Sequence, residues 1–263
     1  MESTPVSTRD GRPPVYERDL APAFLGATRH ILATLRHREI AGPLTGLVLA
    51  SAVCAVAVLA RMAWMHTRGG SYLIWNLFLA WLPLGFALIA RASHHAKGSL
   101  RGLFWLAGAG WLLFFPNAPY ICTDVVHLVE RVRVHFWIDL SLVMLIAVTG
   151  VVLGFVSLYL MQLIVRERLG AWAGWLFVGF VAGLSGVGIY LGRFLRLNSW
   201  DLVLQPSRLY DGLNQWTANS RADPTHLAFT VSFAGFIFVS YVTLYALTHL
   251  PRMGAAAPDA AKT

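Results

Sequence analysis

Hydrophobic and polar positions along this chain fall into long blocks. Six apolar runs, at about Leu44 to Trp64, Tyr72 to Ala90, Leu100 to Phe115, Phe136 to Gln162, Ala171 to Leu195 and His226 to Leu250, are separated by polar connections. A helix needs about 20 apolar residues to cross a hydrocarbon core of about 30 Å. Lipid leaves backbone groups no solvent partner, so helices are the natural spanning form for such runs. The pattern predicts an all-α integral membrane protein, a bundle of six transmembrane helices, with Trp75 and Trp81 as interface anchors on the second.

Two polar stretches interrupt the pattern at the ends of runs. The first is Phe115-Pro116-Asn117-Ala118-Pro119-Tyr120-Ile121-Cys122-Thr123-Asp124-Val125-Val126-His127-Leu128. The third run ahead of it offers only about 24 Å of helix at 1.5 Å per residue, short of a full crossing. Pro116 lacks an N–H, and Pro119 disfavours a helical Ala118. The third helix is therefore expected to break near Phe115, with Asn117 capping exposed backbone groups. The second stretch is Gly188-Ile189-Tyr190-Leu191-Gly192-Arg193-Phe194-Leu195-Arg196-Leu197-Asn198-Ser199-Trp200-Asp201 at the end of the fifth run. The ends of the third and fifth crossings lie on the same side of a membrane, so the two stretches can meet.

Composition agrees with a membrane location. Of 263 residues, 57% are hydrophobic and only 13% charged, and the mean hydropathy is +0.59. A soluble domain carries about twice that charged fraction. The net charge of +8 comes from Lys and Arg scattered at the edges of the runs. That suits topology and anionic headgroups and makes no nucleic-acid-binding face. Cys54 and Cys122 sit at different depths and are expected to stay unbonded.

Three regions follow. Residues 1–42 form a basic N-terminal segment, in which Phe24, Leu25, Ile31, Leu32 and Leu35 alternate with Arg29, His30, Arg36 and His37. This predicts an interfacial amphipathic helix over about Leu20 to Ile40. No cleavable signal peptide is visible ahead of it. Residues 43–251 form the six-span domain, and 252–263 a short tail. With both termini cytoplasmic, 13 Lys and Arg residues fall inside and 8 outside. The positive-inside rule then favours that orientation in a bacterial cytoplasmic (inner) membrane, with both polar stretches facing outwards.

The candidate chemistry follows from that placement. Asp124 and His127 share a face if a new helical turn starts near Thr123. Asp139 adds a carboxylate at the start of the fourth run, where an ionised group needs a partner or a watery cavity. Tyr190, Arg193 and Arg196 lie along one face of the fifth helix, followed by Asn198 and Asp201. One arrangement has Arg193 or Arg196 neutralising Asp124 or Asp139. Each residue also has a mundane account: a helix cap, a satisfied loop histidine, an interfacial ion pair, a snorkelling arginine.

Pro116-Asn117-Ala118-Pro119-Tyr120, Thr123-Asp124, His127-Leu128, Gly188-Ile189-Tyr190-Leu191-Gly192-Arg193-Phe194 and Asn198-Ser199-Trp200-Asp201 together resemble the bacterial membrane family catalogued as domain of unknown function 1361. The resemblance runs from about Leu44 to Leu250. It implies a multi-pass membrane protein and brings no activity, substrate or cofactor with it.

Three functions compete. The first is an outward-facing site for a small polar or anionic ligand, a lipid headgroup or a solute. It would be built from Asn117, Tyr120, Asp124, His127, Asp139, Tyr190, Arg193, Arg196, Asn198 and Asp201. The second is a membrane-embedded hydrolase holding a divalent metal through Asp124, His127, Asp139 and Asp201. The third is a structural protein whose polar groups lock a bundle that holds partner membrane proteins. Membrane lipids are expected partners in all three.

Overall fold

The computed structural model describes residues 38–66, 70–94, 100–129 and 135–249. The described residues are all helix and turn. The longer helices are α1 (Arg38–Trp64), α2 (Ser71–Ser93) and α3 (Leu100–Phe114). After a turn at Phe115 and Pro116 come α4 (Asn117–Tyr120), a 3-10 turn (Ile121–Val125) and α5 (Val126–Val129). The rest are α6 (Phe136–Leu169), α7 (Ala171–Leu195), α8 (Asp201–Leu204), α9 (Pro206–Ala222) and α10 (Pro224–Thr248). Of these, α1, α2, α6, α7 and α10 are long and apolar enough to cross a membrane. The expected interfacial helix over residues 20–40 lies outside the described residues, except that its last three already belong to α1.

Helix boundaries depart from the hydropathy pattern where polar residues continue a helix. At 34 residues, α6 is about 51 Å long and outlasts its apolar run through Arg166, Glu167 and Arg168. It stops at Gly170, whose φ of +91° suits only glycine and which alone joins α6 to α7. Residues 201–222, read from the sequence as connection, form α8 and α9. Here Pro206 opens a helix whose Gly212 packs beneath Leu197. Trp81 is not at a boundary: its indole N–H donates to Ser51 Oγ of α1 at 3.0 Å, between helices. Cys54 and Cys122 are free thiols.

The central helix is α6, the most buried of the long ones, with α2 and α7 packed on it and α10 on α7. Most of α1 and α10 is exposed. Residues 100–125 run antiparallel to α2 along its length. Phe104 lies against His94 near its end, Phe114 stacks on Phe86, and Asp124 reaches Asn76 near its start. Residues 115–125 of the first polar stretch are thus buried or half-buried in the bundle, while Val126 is exposed.

Candidate functional site

The two polar stretches touch, and glycine makes the contact possible. On α7, Gly188 and Gly192 lie one turn apart. A Cβ on Gly188 would stand 3.2 Å from Pro116, and one on Gly192 3.1 Å from the Tyr120 ring. On α6, Gly150 and Gly154 present a second such face. There a Cβ would stand 2.6 Å from Ile121 Cδ1 or 2.9 Å from Ala118 Cβ respectively. Residues 115–121 are therefore clasped between two small-xxx-small faces, the device by which membrane helices approach closely. Both glycine pairs are visible in the sequence as Gly-x-x-x-Gly spacings, a signal the motif reading passed over.

Asn117 joins the stretches by hydrogen bonds. The proline-rich turn disturbs the backbone ladder, so Ala118 N–H donates to Phe115 O at 3.1 Å instead of to Phe114 O. Asn117 Nδ2 compensates by donating to Phe114 O at 3.1 Å, and also to Ser199 Oγ at 2.9 Å. One amide group thus caps α3 and ties it to the loop after α7.

The other candidate residues are distributed among separate contacts. Asp124 is buried in the 3-10 turn and accepts from Asn76 Nδ2 at 2.8 Å. His127 lies on α5, and its side chain is outside the described set. Asp139 receives a two-pronged bond from Arg61 of α1, Nε to Oδ1 at 2.8 Å and Nη2 to Oδ2 at 3.2 Å. Among the described residues it is thus paired with Arg61 and with neither Arg193 nor Arg196, because the end of α1 packs beside the start of α6. Tyr190 is fully buried, and its hydroxyl accepts from Asn219 Nδ2 at 3.2 Å and lies 3.2 Å from His226 Nδ1. With Asn219 donating, the phenol's own hydrogen can go to a neutral His226.

At the end of α7 the expected arginine face is lost. The helix stops at Leu195, and Arg196 takes a left-handed conformation with φ +53°, so it no longer follows Arg193 along one face. Arg193 is half-buried and Arg196 exposed. Asn198 and Asp201 close on each other: Asp201 Oδ2 accepts from Asn198 N–H at 2.8 Å, a capping-box arrangement, with Arg208 Nη1 3.8 Å away. Among the described residues no three His, Cys, Asp or Glu side chains stand together as a metal site would need.

A model of the family described as protein of unknown function (DUF1361) matches residues 75–242. The chain belongs to that family. No curated protein and no solved structure matches it. The part matched to DUF1361 begins beside Asn76, includes both polar stretches and ends within α10. It leaves out α1, so the Asp139 carboxylate lies within the matched part and its partner Arg61 outside.

The opposite end of the bundle holds a polar cluster that the motif reading missed. Arg91 Nη1 lies 2.6 Å from Glu167 Oε1, and His94 Nε2 3.2 Å from Glu167 Oε2. Arg168 donates from Nε to His94 Nδ1 at 3.1 Å and from Nη2 to His94 O at 2.9 Å, with its guanidinium over the Phe104 ring. Accepting at Nδ1 leaves the ring hydrogen on Nε2, facing Glu167. The ends of α2 and α6 lie together here, and in the sequence both apolar runs are followed by ionisable side chains.

Proposed function

We propose that this DUF1361 protein is a structural membrane protein, a six-crossing bundle locked by its polar stretches so that its apolar faces can hold partner membrane proteins. In this reading α3, α4, the 3-10 turn and α5 make one crossing interrupted at Phe115 and Pro116. That crossing joins α1, α2, α6, α7 and α10, both termini are cytoplasmic, and the clasp faces outwards in a bacterial cytoplasmic membrane. The antiparallel course of residues 100–125 beside α2 supports the sixth crossing.

The observation that carries the structural reading is the clasp itself: two glycine pairs against residues 115–121, sealed by the bond from Asn117 to Ser199. Asn117, Asp124, Asp139 and Tyr190 each have their own intramolecular contact, and this division favours a lock over one common ligand pocket. Large exposed side chains on α1 and α10, such as Val53, Val56, Val231 and Val239, supply lateral surface.

A thermal-unfolding series on purified protein tests this reading. The lock predicts that Asn117→Ala and Ser199→Ala are each destabilising and couple by about 1 kcal/mol in a double-mutant cycle. It also predicts that a panel of anions shifts the melting temperature of neither wild type nor Arg193→Ala. An anion that stabilises wild type and fails to stabilise Arg193→Ala would overturn the lock in favour of a ligand site.

A further inference from the structure

Arg61, held from behind by Asp139, lines a groove between the end of α1 and the start of α6. The groove measures about 710 Å³. Its floor is aliphatic, made by Ala57, Ala60, Leu142 and Leu145, and it extends about 12 Å along the helices from its tryptophan rim. The rim is Trp64 on α1 and Trp137 on α6, both mostly exposed.

The polar groups at the rim are strong donors. Asp139 occupies Nε and one Nη2 hydrogen of Arg61, leaving that guanidinium with three N–H groups that have no partner among the described residues. The indole N–H groups of Trp64 and Trp137 have no hydrogen-bond partner among the described residues either. Ser141 donates to Trp137 O at 2.8 Å, which leaves its oxygen as an acceptor on the same wall. Three donor side chains above an aliphatic floor match a molecule with an acceptor-rich anionic head and an apolar tail. Arg61 stands one turn from the end of a helix long enough to cross the membrane. A phosphate of the surrounding leaflet meets a side chain at that depth, and an arginine fork suits phosphate.

We propose that this groove is a specific phospholipid site, with the phosphodiester on Arg61, Trp64 and Trp137 and one acyl chain along Ala57, Ala60 and Leu145. The Asp139 carboxylate fixes the guanidinium so that its free edge faces the groove. The site is independent of the clasp and of the structural role proposed above.

The test is delipidated protein in detergent, titrated with dioleoyl phosphatidylglycerol while melting is followed. Dioleoylglycerol, which keeps the chains and lacks the phosphate, and inorganic phosphate, which lacks the chains, are the controls. The phospholipid is expected to raise the melting temperature by several degrees at saturation, and neither control to do so. Ala60→Trp fills the floor and leaves the ion pair intact, and it should abolish the shift. The double variant Trp64→Phe, Trp137→Phe removes both indole N–H donors while keeping an aromatic ring at each position and should weaken binding about tenfold, so the result does not depend on Ala60→Trp folding. Equal shifts in wild type and the double variant, or an equal shift with dioleoylglycerol, would mean ordinary annular lipid and overturn the proposal.

Discussion

The two ends of the bundle are held by different physics. At the clasp end, residues 115–121 are fixed by close packing on four glycines and by neutral amide and hydroxyl bonds. At the other end, Arg91, His94, Glu167 and Arg168 make a charged cluster in which Glu167 remains partly exposed. The difference follows from depth. Burying a charge costs far more than burying an amide, so an enclosed polar stretch is stable when its groups are neutral and mutually satisfied. Charges can gather where water still reaches them. A polar stretch deep in an apolar chain is thus as readily a packing device as a reactive site.

Carboxylates are buried at the clasp end too, Asp124 against Asn76 and Asp139 against Arg61, and breaking the Arg61–Asp139 pair should give the largest effect. Arg61→Ala removes the two-pronged partner of a buried carboxylate and is expected to cost about 3 kcal/mol, at the lower end for buried pairs because Arg61 keeps some exposure. Adding Asp139→Asn should recover most of the loss, which a melting series on the single and double variants would reveal. Next comes the clasp. Gly188→Leu places carbon atoms where Pro116 already stands and should cost about 2 kcal/mol. Gly183→Leu, on the same helix with open space around it, should change stability by about 0.5 kcal/mol or less. If the two glycine variants melt together, close packing is not what holds the stretch.

Much of this arrangement was legible in the sequence, and the reasons are particular. Run length and proline chemistry marked Phe115 and Pro116 as the end of α3. Span parity put Asn117 and Ser199 on one side, where they meet. The partner of Asp139 was not legible in the polar stretches, because Arg61 belongs to an apolar run and looks like a snorkelling anchor. Nor was α9, whose polar composition resembles a loop. Its signal is weaker: Leu209, Gly212, Trp216 and Asn219 recur at helical spacing behind Pro206, and Trp216 bonds Thr230 of α10. Backbone conformation at Arg196 is set by the end of a helix, which no periodicity fixes to a single residue.

The charged end supplies a smaller effect with a different signature. Glu167→Gln should cost about 1 kcal/mol or less, since its pairs are partly exposed and screened. The cost should shrink between low and high salt. The loss from Asn117→Ala should be insensitive to salt, because no net charge is involved. Melting both variants at two ionic strengths separates the two ends. A salt-dependent Asn117→Ala would mean that the clasp relies on the nearby arginines after all.

The smallest effect is at the start of α10, where Asp223 caps the helix by accepting from Thr225 N–H at 2.9 Å. A hydrogen bond from the Thr225 hydroxyl, with the backbone one beside it, holds the Asp223 carboxyl below its ordinary value. A carboxylate whose pKa is lower in the folded state stabilises the fold above the unfolded pKa. Its contribution fades as pH falls through the folded value. The cap is fully exposed, so the change should be slight and confined to acid. Asp223→Asn keeps a capping oxygen without the charge. Relative to that variant, wild type should lose its advantage only below the usual carboxylate range. A difference that instead appeared near neutral pH would mean that the Asp223 carboxylate is not the group behind the change.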